Sequence, residues 1–329
     1  MLEGLDQVPW RQLHHAFGTA EDVPALIRAL ASTEESERSS AFYELHGNLW
    51  HQGTIYEATP HAVPFLIDLA TAQEIPGRSE LLSYLGMLAG GSSYTDVHRG
   101  IAKPQNAAFR RQLQRELAWV AQTRRAVKAG EALYSACLKA AEHATCCAAA
   151  YVLSRFPEHA DAYWAPIVRC YETAGTDTAV RCGIAILTQE FSVQGGSDTQ
   201  WLLQMFDSED HLAVRIALAV SLAHCPAQPA EAVLSFLGGN LLVGEEVSEM
   251  YHAQPWNSGE PIWDMVRALS LSRPGRRLAV DRFNALLSQG APKDKLNYLR
   301  YVMRGELPLR ATPLDMSTEP LLPIRLADE

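Results

Sequence analysis

Val23-Pro24-Ala25-Leu26-Ile27 returns as Val63-Pro64-Phe65-Leu66-Ile67, 40 residues further along the chain. Proline is tolerated in the first turn of a helix, where its missing amide would have no partner anyway. Pro24 therefore reads as part of the first turn of a helix, and the recurrence marks an internal repeat. A helical unit of this length cannot bury its own apolar stripe and must stack on a neighbour. The second half carries its own register marker: Ala179-Val180-Arg181 and Ala213-Val214-Arg215 lie 34 residues apart. In that frame Ala150, Ile184 and Leu218 occupy equivalent places, as alternating helices packed on a shared core require.

Asp177 with Val180, Arg181 and Ala185, and Asp210 with Val214, Arg215 and Leu218, resemble the second halves of HEAT repeats. The series is similar to bacterial HEAT-like proteins of the PBS-lyase HEAT-like type, over roughly residues 20–240. The resemblance implies an all-α chain, an α-α superhelix (solenoid) of antiparallel helix pairs. Expected helices run from about Pro24 to Ser32, Glu34 to Trp50, Pro60 to Thr71, Arg78 to Ala89 and Asn106 to Ala129. Shorter ones then end near Ala140, Ser154, Tyr171, Gln189, Phe206, Ala223 and Leu237. Asp22 is the expected N-cap of the first, and Gly90-Gly91 closes the fourth. Residues 1–240 read as one array. Residues 241–304 read as an irregular loop, with Gly244, Pro255, Gly259 and Pro261 within 240–262, followed by further helices. From Gly305 onward four prolines leave 305–329 as an extended strap or a mobile end.

At 47% hydrophobic and 20% charged residues the composition excludes wholesale disorder. The longest apolar runs fall short of the roughly 20 residues a membrane span needs, and Met1 to Trp10 lacks the apolar core of a signal peptide. A cytoplasmic location without membrane partners is expected. Six cysteines lie in apolar helical segments without a CxxC pair, so they read as buried, reduced core residues. Eleven histidines are scattered without a ligand spacing, and adjacent His14 and His15 point in different directions on a helix; neither a metal nor another cofactor is expected.

Two surfaces invite binding. Trp50, His51, Gln52, Tyr56 and Glu57 fall in one turn, and Tyr94, Asp96, His98 and Arg99 in another about one repeat later. If the register holds, these turns stack on one edge and form a polar, aromatic patch borne on loops. Alternatively, Trp50 and Tyr56 staple adjacent repeats while the polar groups satisfy helix ends. The second surface is basic. Residues 99–128 hold eight cations against the lone Glu116, a net of +7, within a chain of net −10. Arg110, Arg111, Arg115, Arg125 and Lys128 lie beside or opposite the apolar stripe of this helix. They suit phosphates or an acidic protein surface, or pair with acidic neighbours inside the chain.

No nucleophile set or phosphate loop stands out, so the expected role is a non-catalytic protein-binding scaffold. An alternative is an immunity or inhibitor protein that sequesters a toxin or enzyme, since the acidic excess suits a basic partner. A further one is nucleic-acid binding of the HEAT-like DNA glycosylase type, carried only by the basic helix and opposed by the net charge. The resemblance also admits handling of a chromophore, on fold analogy alone.

Overall fold

A computed structural model of the chain describes residues 1–72, 75–98, 107–140, 142–226, 229–254, 256, 259–309 and 323–327. It is all-α apart from two short hairpins and two isolated bridges. Among the described residues no helix is long and apolar enough to cross a membrane. The chain divides into two compact units, Met1–Phe156 and Pro157–Glu329, inside the stretch that the sequence assigned to one array.

The first unit opens with a hairpin of β1 (His14–His15) and β2 (Gly18–Thr19). Then come α1 (Val23–Ala29), α2 (Glu35–Leu49), and a second hairpin of β3 (Trp50–His51) and β4 (Thr54–Ile55). α3 (Thr59–Thr71), α4 (Arg78–Ala89), α5 (Tyr94–Val97), α6 (Ala107–Lys128), α7 (Glu131–Cys137) and α8 (His143–Ser154) complete it. Tyr84 on α4 is fully buried and donates its hydroxyl to the Leu45 carbonyl of α2, 39 residues earlier. α4 lies close against α8, where a Cβ added at Gly86 would fall 2.4 Å from the Tyr151 ring.

Three local expectations are corrected here. Trp50 leaves α2 rather than ending it, because Gln52 (φ 51°) and Gly53 (φ 86°) form a two-residue turn with both centres left-handed, the geometry that suits a tight hairpin. Asp22 stands at the start of α1 without capping it. Its carboxylate instead accepts from Asn48 Nδ2 (2.8 Å) and faces His15 Nε2 (3.1 Å). His14 and His15 lie on a strand, so they take opposite faces: His14 exposed, His15 buried.

In the second unit follow α9 (Ala160–Thr173), α10 (Thr178–Val193), α11 (Thr199–Ser208), α12 (Leu212–His224) and α13 (Glu231–Gly239). α14 (Glu245–His252), α15 (Pro261–Ser270), α16 (Arg273–Ser288) and α17 (Lys293–Glu306) complete it. The 34-residue marker places Val180 on α10 and Val214 on α12, both buried. Three contacts advance in step along the two helices. Arg181 meets Glu209, which precedes α12, at 2.9 Å; Thr188 donates to Ser221 at 2.8 Å; Gln189 faces His224 at 3.5 Å. α10 and α12 therefore run parallel. The two marker arginines are both engaged: Arg181 in that ion pair, and Arg215 against both rings of the touching Phe206–Phe236 pair, 4.9 Å from each. Asp177 caps α10 by accepting from the Val180 amide.

The stretch 240–262 differs from the expected loop. Val247 and Tyr251, four residues apart, bury one face of α14, and the Gln254 amide reaches the Ala179 carbonyl at 3.0 Å. Gly244 stands at the start of α14 and Pro261 opens α15, so these residues bound helices instead of unwinding the stretch; Pro255 lies outside the described residues. Near the C-terminus Leu309 pairs antiparallel with Leu326. Asn284 on α16 grips both the amide and the carbonyl of Ile324, at 2.9 and 3.0 Å. The described residues of the tail thus form a strap; 310–322 lie outside the described residues. All six cysteines are free thiols in buried positions.

Candidate functional site

Main-chain hydrogen bonds join three turn segments of the first unit. Ser92 N donates to Gly53 O (2.8 Å) and Ile55 N to Ser92 O (2.9 Å), a parallel bridge that fixes the 50–57 hairpin beside the 92–98 turn. On the other flank Ala16 N donates to Asn48 O and Ala58 N to His14 O, each at 3.0 Å, seating the first hairpin. Gly91 is needed at the junction, since a Cβ there would fall 2.4 Å from the Ile55 side chain.

The base of this rim is a buried carboxylate. Glu116 on α6 is 5% exposed and accepts from Ser93 Oγ (2.7 Å), Thr95 N (2.8 Å), Thr95 Oγ1 (2.9 Å) and Gln112 Nε2 (2.7 Å). Burial pushes its pKa up, but these four donors outweigh burial and hold it below the ordinary glutamate value. A depressed carboxylate contributes stability above its unfolded pKa, and that contribution is lost as pH falls through the lower folded value. Glu116→Gln replaces one of the two acceptor oxygens with an NH2 group that faces donors. It should cost about 2 kcal/mol at neutral pH and speed amide exchange at Thr95 and Asp96, measured by urea unfolding and hydrogen exchange. Unchanged exchange there would mean that the turn holds itself.

The residues singled out from the sequence fall as follows. Trp50 is half-buried with its ring 5.1 Å from His46, within a cluster that includes Phe42 and Tyr84. Burial lowers the His46 pKa, so this cluster holds a neutral imidazole. His51 meets the ring of Phe17 edge-on at 5.1 Å. Gln52 forms the exposed tip of the hairpin. Tyr56 is half-buried, and its phenol is pushed up chiefly by burial, with Glu116 and Tyr94 adding to the shift. Glu57 holds His14 at 3.1 Å. Tyr94 is 55% exposed and stacks on His98 at 4.3 Å, and His98 Nδ1 donates to the Tyr94 carbonyl. The Asp96 amide is capped by Ser93 Oγ. Arg99 lies outside the described residues.

Two residues were missed from the sequence. Phe17 is 68% exposed on the first hairpin, and Tyr43 is 81% exposed on α2. Tyr43 is out of phase with Ala41, Leu45 and Leu49, which are buried, and that phase was the available signal.

On α6, Arg110, Arg111, Arg115 and Arg125 are exposed and Lys128 is half-buried. Lys128 pairs with Glu131 at 2.7 Å and, with Arg124, lies over the Phe156 ring. Part of the basic segment is thus used within the unit. Arg115 bonds Gln112 on its own helix, and Arg111 and Arg125 meet no carboxylate among the described residues.

In the second unit a separate group of titrating side chains gathers on α10, α12, α15 and α17. Burial lifts the Asp264 carboxyl to about 6, with Arg267 opposing and Glu306 and Glu190 adding to the rise. Burial lowers the His224 pKa, and its Nδ1 donates to the Val220 carbonyl at 2.8 Å. Arg267 and Glu306 form an ion pair at 3.2 Å. Among the described residues no group of three or more potential ligands could hold a metal ion.

No known protein-family profile matches the chain, and neither does a curated protein. Among solved structures, an engineered protein from the Northeast Structural Genomics Consortium aligns over 88% of this chain and 80% of its own, at 15% identity and a TM-score of 0.36. A second engineered protein from that consortium aligns over 87% and 96%, at 13% identity and a TM-score of 0.27. The reading of function therefore stands on the residues of this chain.

Proposed function

We propose that the chain is a non-catalytic protein-binding scaffold of HEAT-like type, an α-α superhelix of helix pairs whose contact surface is the rim of turns in the first unit. The carrying observation is that main-chain bonds fix three turns side by side while Phe17 and Tyr94 remain largely exposed. Aromatic side chains on rigid turns lose little entropy on binding and make effective anchors. The parallel α10 and α12 and the recurrence at 40 and 34 residues support the repeat architecture.

Tyr94→Ala combined with His98→Ala tests this reading. Capture of protein partners from the native host by the immobilised full chain should drop about tenfold, while the melting temperature stays within about 2 °C. Undiminished capture removes the rim from the interface. A second reading, an inhibitor or immunity protein that sequesters a toxin or enzyme, is favoured by the net charge of −10, which would steer a basic partner. Loss of a captured enzyme's activity on adding the purified chain would support it.

A further inference from the structure

The outer face of α2 carries an exposed ring and exposed carboxylates, of which Glu37 accepts from Ser32 Oγ at 2.6 Å. Tyr43 is 81% exposed, and Phe17 lies against the same helix, where a Cβ added at Gly47 would meet its ring in ordinary contact at 3.7 Å. At 100° per residue Ser36, Ser40, Tyr43 and Gly47 fall in one stripe, and Glu37 and Glu44 flank it. Both glutamates are exposed, and neither forms an ion pair among the described residues. The surrounding sequence, residues 14–57, holds seven carboxylates against Arg28 and Arg38, a net of −5. Exposed aromatic rings beside unpaired carboxylates match a guanidinium, which can stack on the ring and bond the carboxylate at once. A lysine ammonium offers the charge without the planar fork.

The geometry points to the α2 face as the docking site for an arginine-containing basic segment of a protein partner, held by Tyr43 and Phe17 with Glu37 and Glu44. This rests on the protein-binding reading and names the chemistry of the partner. Phe17 is shared with the rim, where it meets His51, whereas Tyr43, Glu37 and Glu44 belong to α2 and Tyr94 and His98 to the 92–98 turn, so Tyr43→Ser and the Tyr94→Ala, His98→Ala pair separate the two surfaces.

Fluorescence anisotropy of labelled oligoarginine, oligolysine and oligoglutamate peptides with the full-length chain tests it. Oligoarginine should bind about fivefold or more tighter than oligolysine, and oligoglutamate should not bind. Tyr43→Ser with Phe17→Ser should bring arginine affinity down to the lysine level. Tyr43→Ser alone, on a fully helical exposed site, should take most of that preference and guards against a folding defect in the double variant. Glu37→Gln with Glu44→Gln should weaken both cationic peptides and flatten the salt dependence between about 50 and about 300 mM. Equal arginine and lysine affinities, or a preference untouched by Tyr43→Ser, would overturn the assignment and leave only bulk charge. Self-association of the chain that Tyr43→Ser abolishes would instead place a second copy on this face, and also overturn it. A captured host protein whose binding ignores Tyr43 but depends on Tyr94 and His98 would sink this inference and leave the scaffold reading standing. Arginine preference without any captured protein would do the reverse.

Discussion

Glu209→Ala should lower the unfolding free energy of the chain by about 3–5 kcal/mol, the usual cost of breaking a buried ion pair by removing one partner. The Glu209 side chain is 2% exposed and closes three interactions: Tyr171 Oη donates at 2.6 Å, Arg181 at 2.9 Å and the His211 amide at 2.9 Å. Taking the carboxylate away leaves a mostly buried guanidinium and a buried phenol with nothing to accept from them. Because the hub joins the start of α10 to the start of α12, the loss falls on the packing of these two helices. The Trp201 ring lies 5.4 Å from Tyr171, so intrinsic fluorescence during urea unfolding follows this region directly. Glu209→Gln keeps an acceptor and should cost less than alanine. A loss below about 1 kcal/mol for alanine would mean that water replaces the carboxylate and that the pair is not structural.

Asp264→Asn should have the opposite sign. Burial raises this carboxyl from 3.8 to about 6, so the folded chain holds a proton that the unfolded chain has released. A raised pKa means that stability is fully present below about 3.8 and falls as pH rises to about 6, above which the deficit is constant. A shift of that size corresponds to roughly 2–3 kcal/mol. Asparagine carries no charge to desolvate, so the variant should gain about that amount at pH 8 and nothing near pH 4. The lowered pKa values of His224 and His46 act in the reverse direction, costing stability as they protonate at acid pH. They are common to both proteins, so the difference between the two melting curves isolates Asp264. A flat difference from pH 4 to pH 8 would show that water reaches the carboxylate in the native state.

How far the chain could be read in advance varied with the range of the interactions. α4 was legible to the residue, because Gly77 and Gly90 bracket an apolar run whose period is local. The hairpins were not, since two-residue strands are too short to display an alternating pattern. α14 was hidden by the turn residues around it, although Val247 and Tyr251 already had helical spacing. Phe17 and Tyr43 went unnoticed because an aromatic residue in an amphipathic segment is ordinarily read as core, and only its phase against the buried stripe says otherwise.

Sequence alone determined the all-α class and most of the helices of the first unit, because helical periodicity, proline at a first turn and glycine at a last one are properties of neighbours along the chain. The tertiary structure alone decided that Gly53 meets Ser92, that Glu116 holds the 93–95 turn from 21 to 23 residues away, and that Tyr171 meets Glu209 across 38 residues. Those pairings depend on how helices rotate and stack as the core closes, and hydrogen bonds between distant residues are specified only once that packing has brought them within reach.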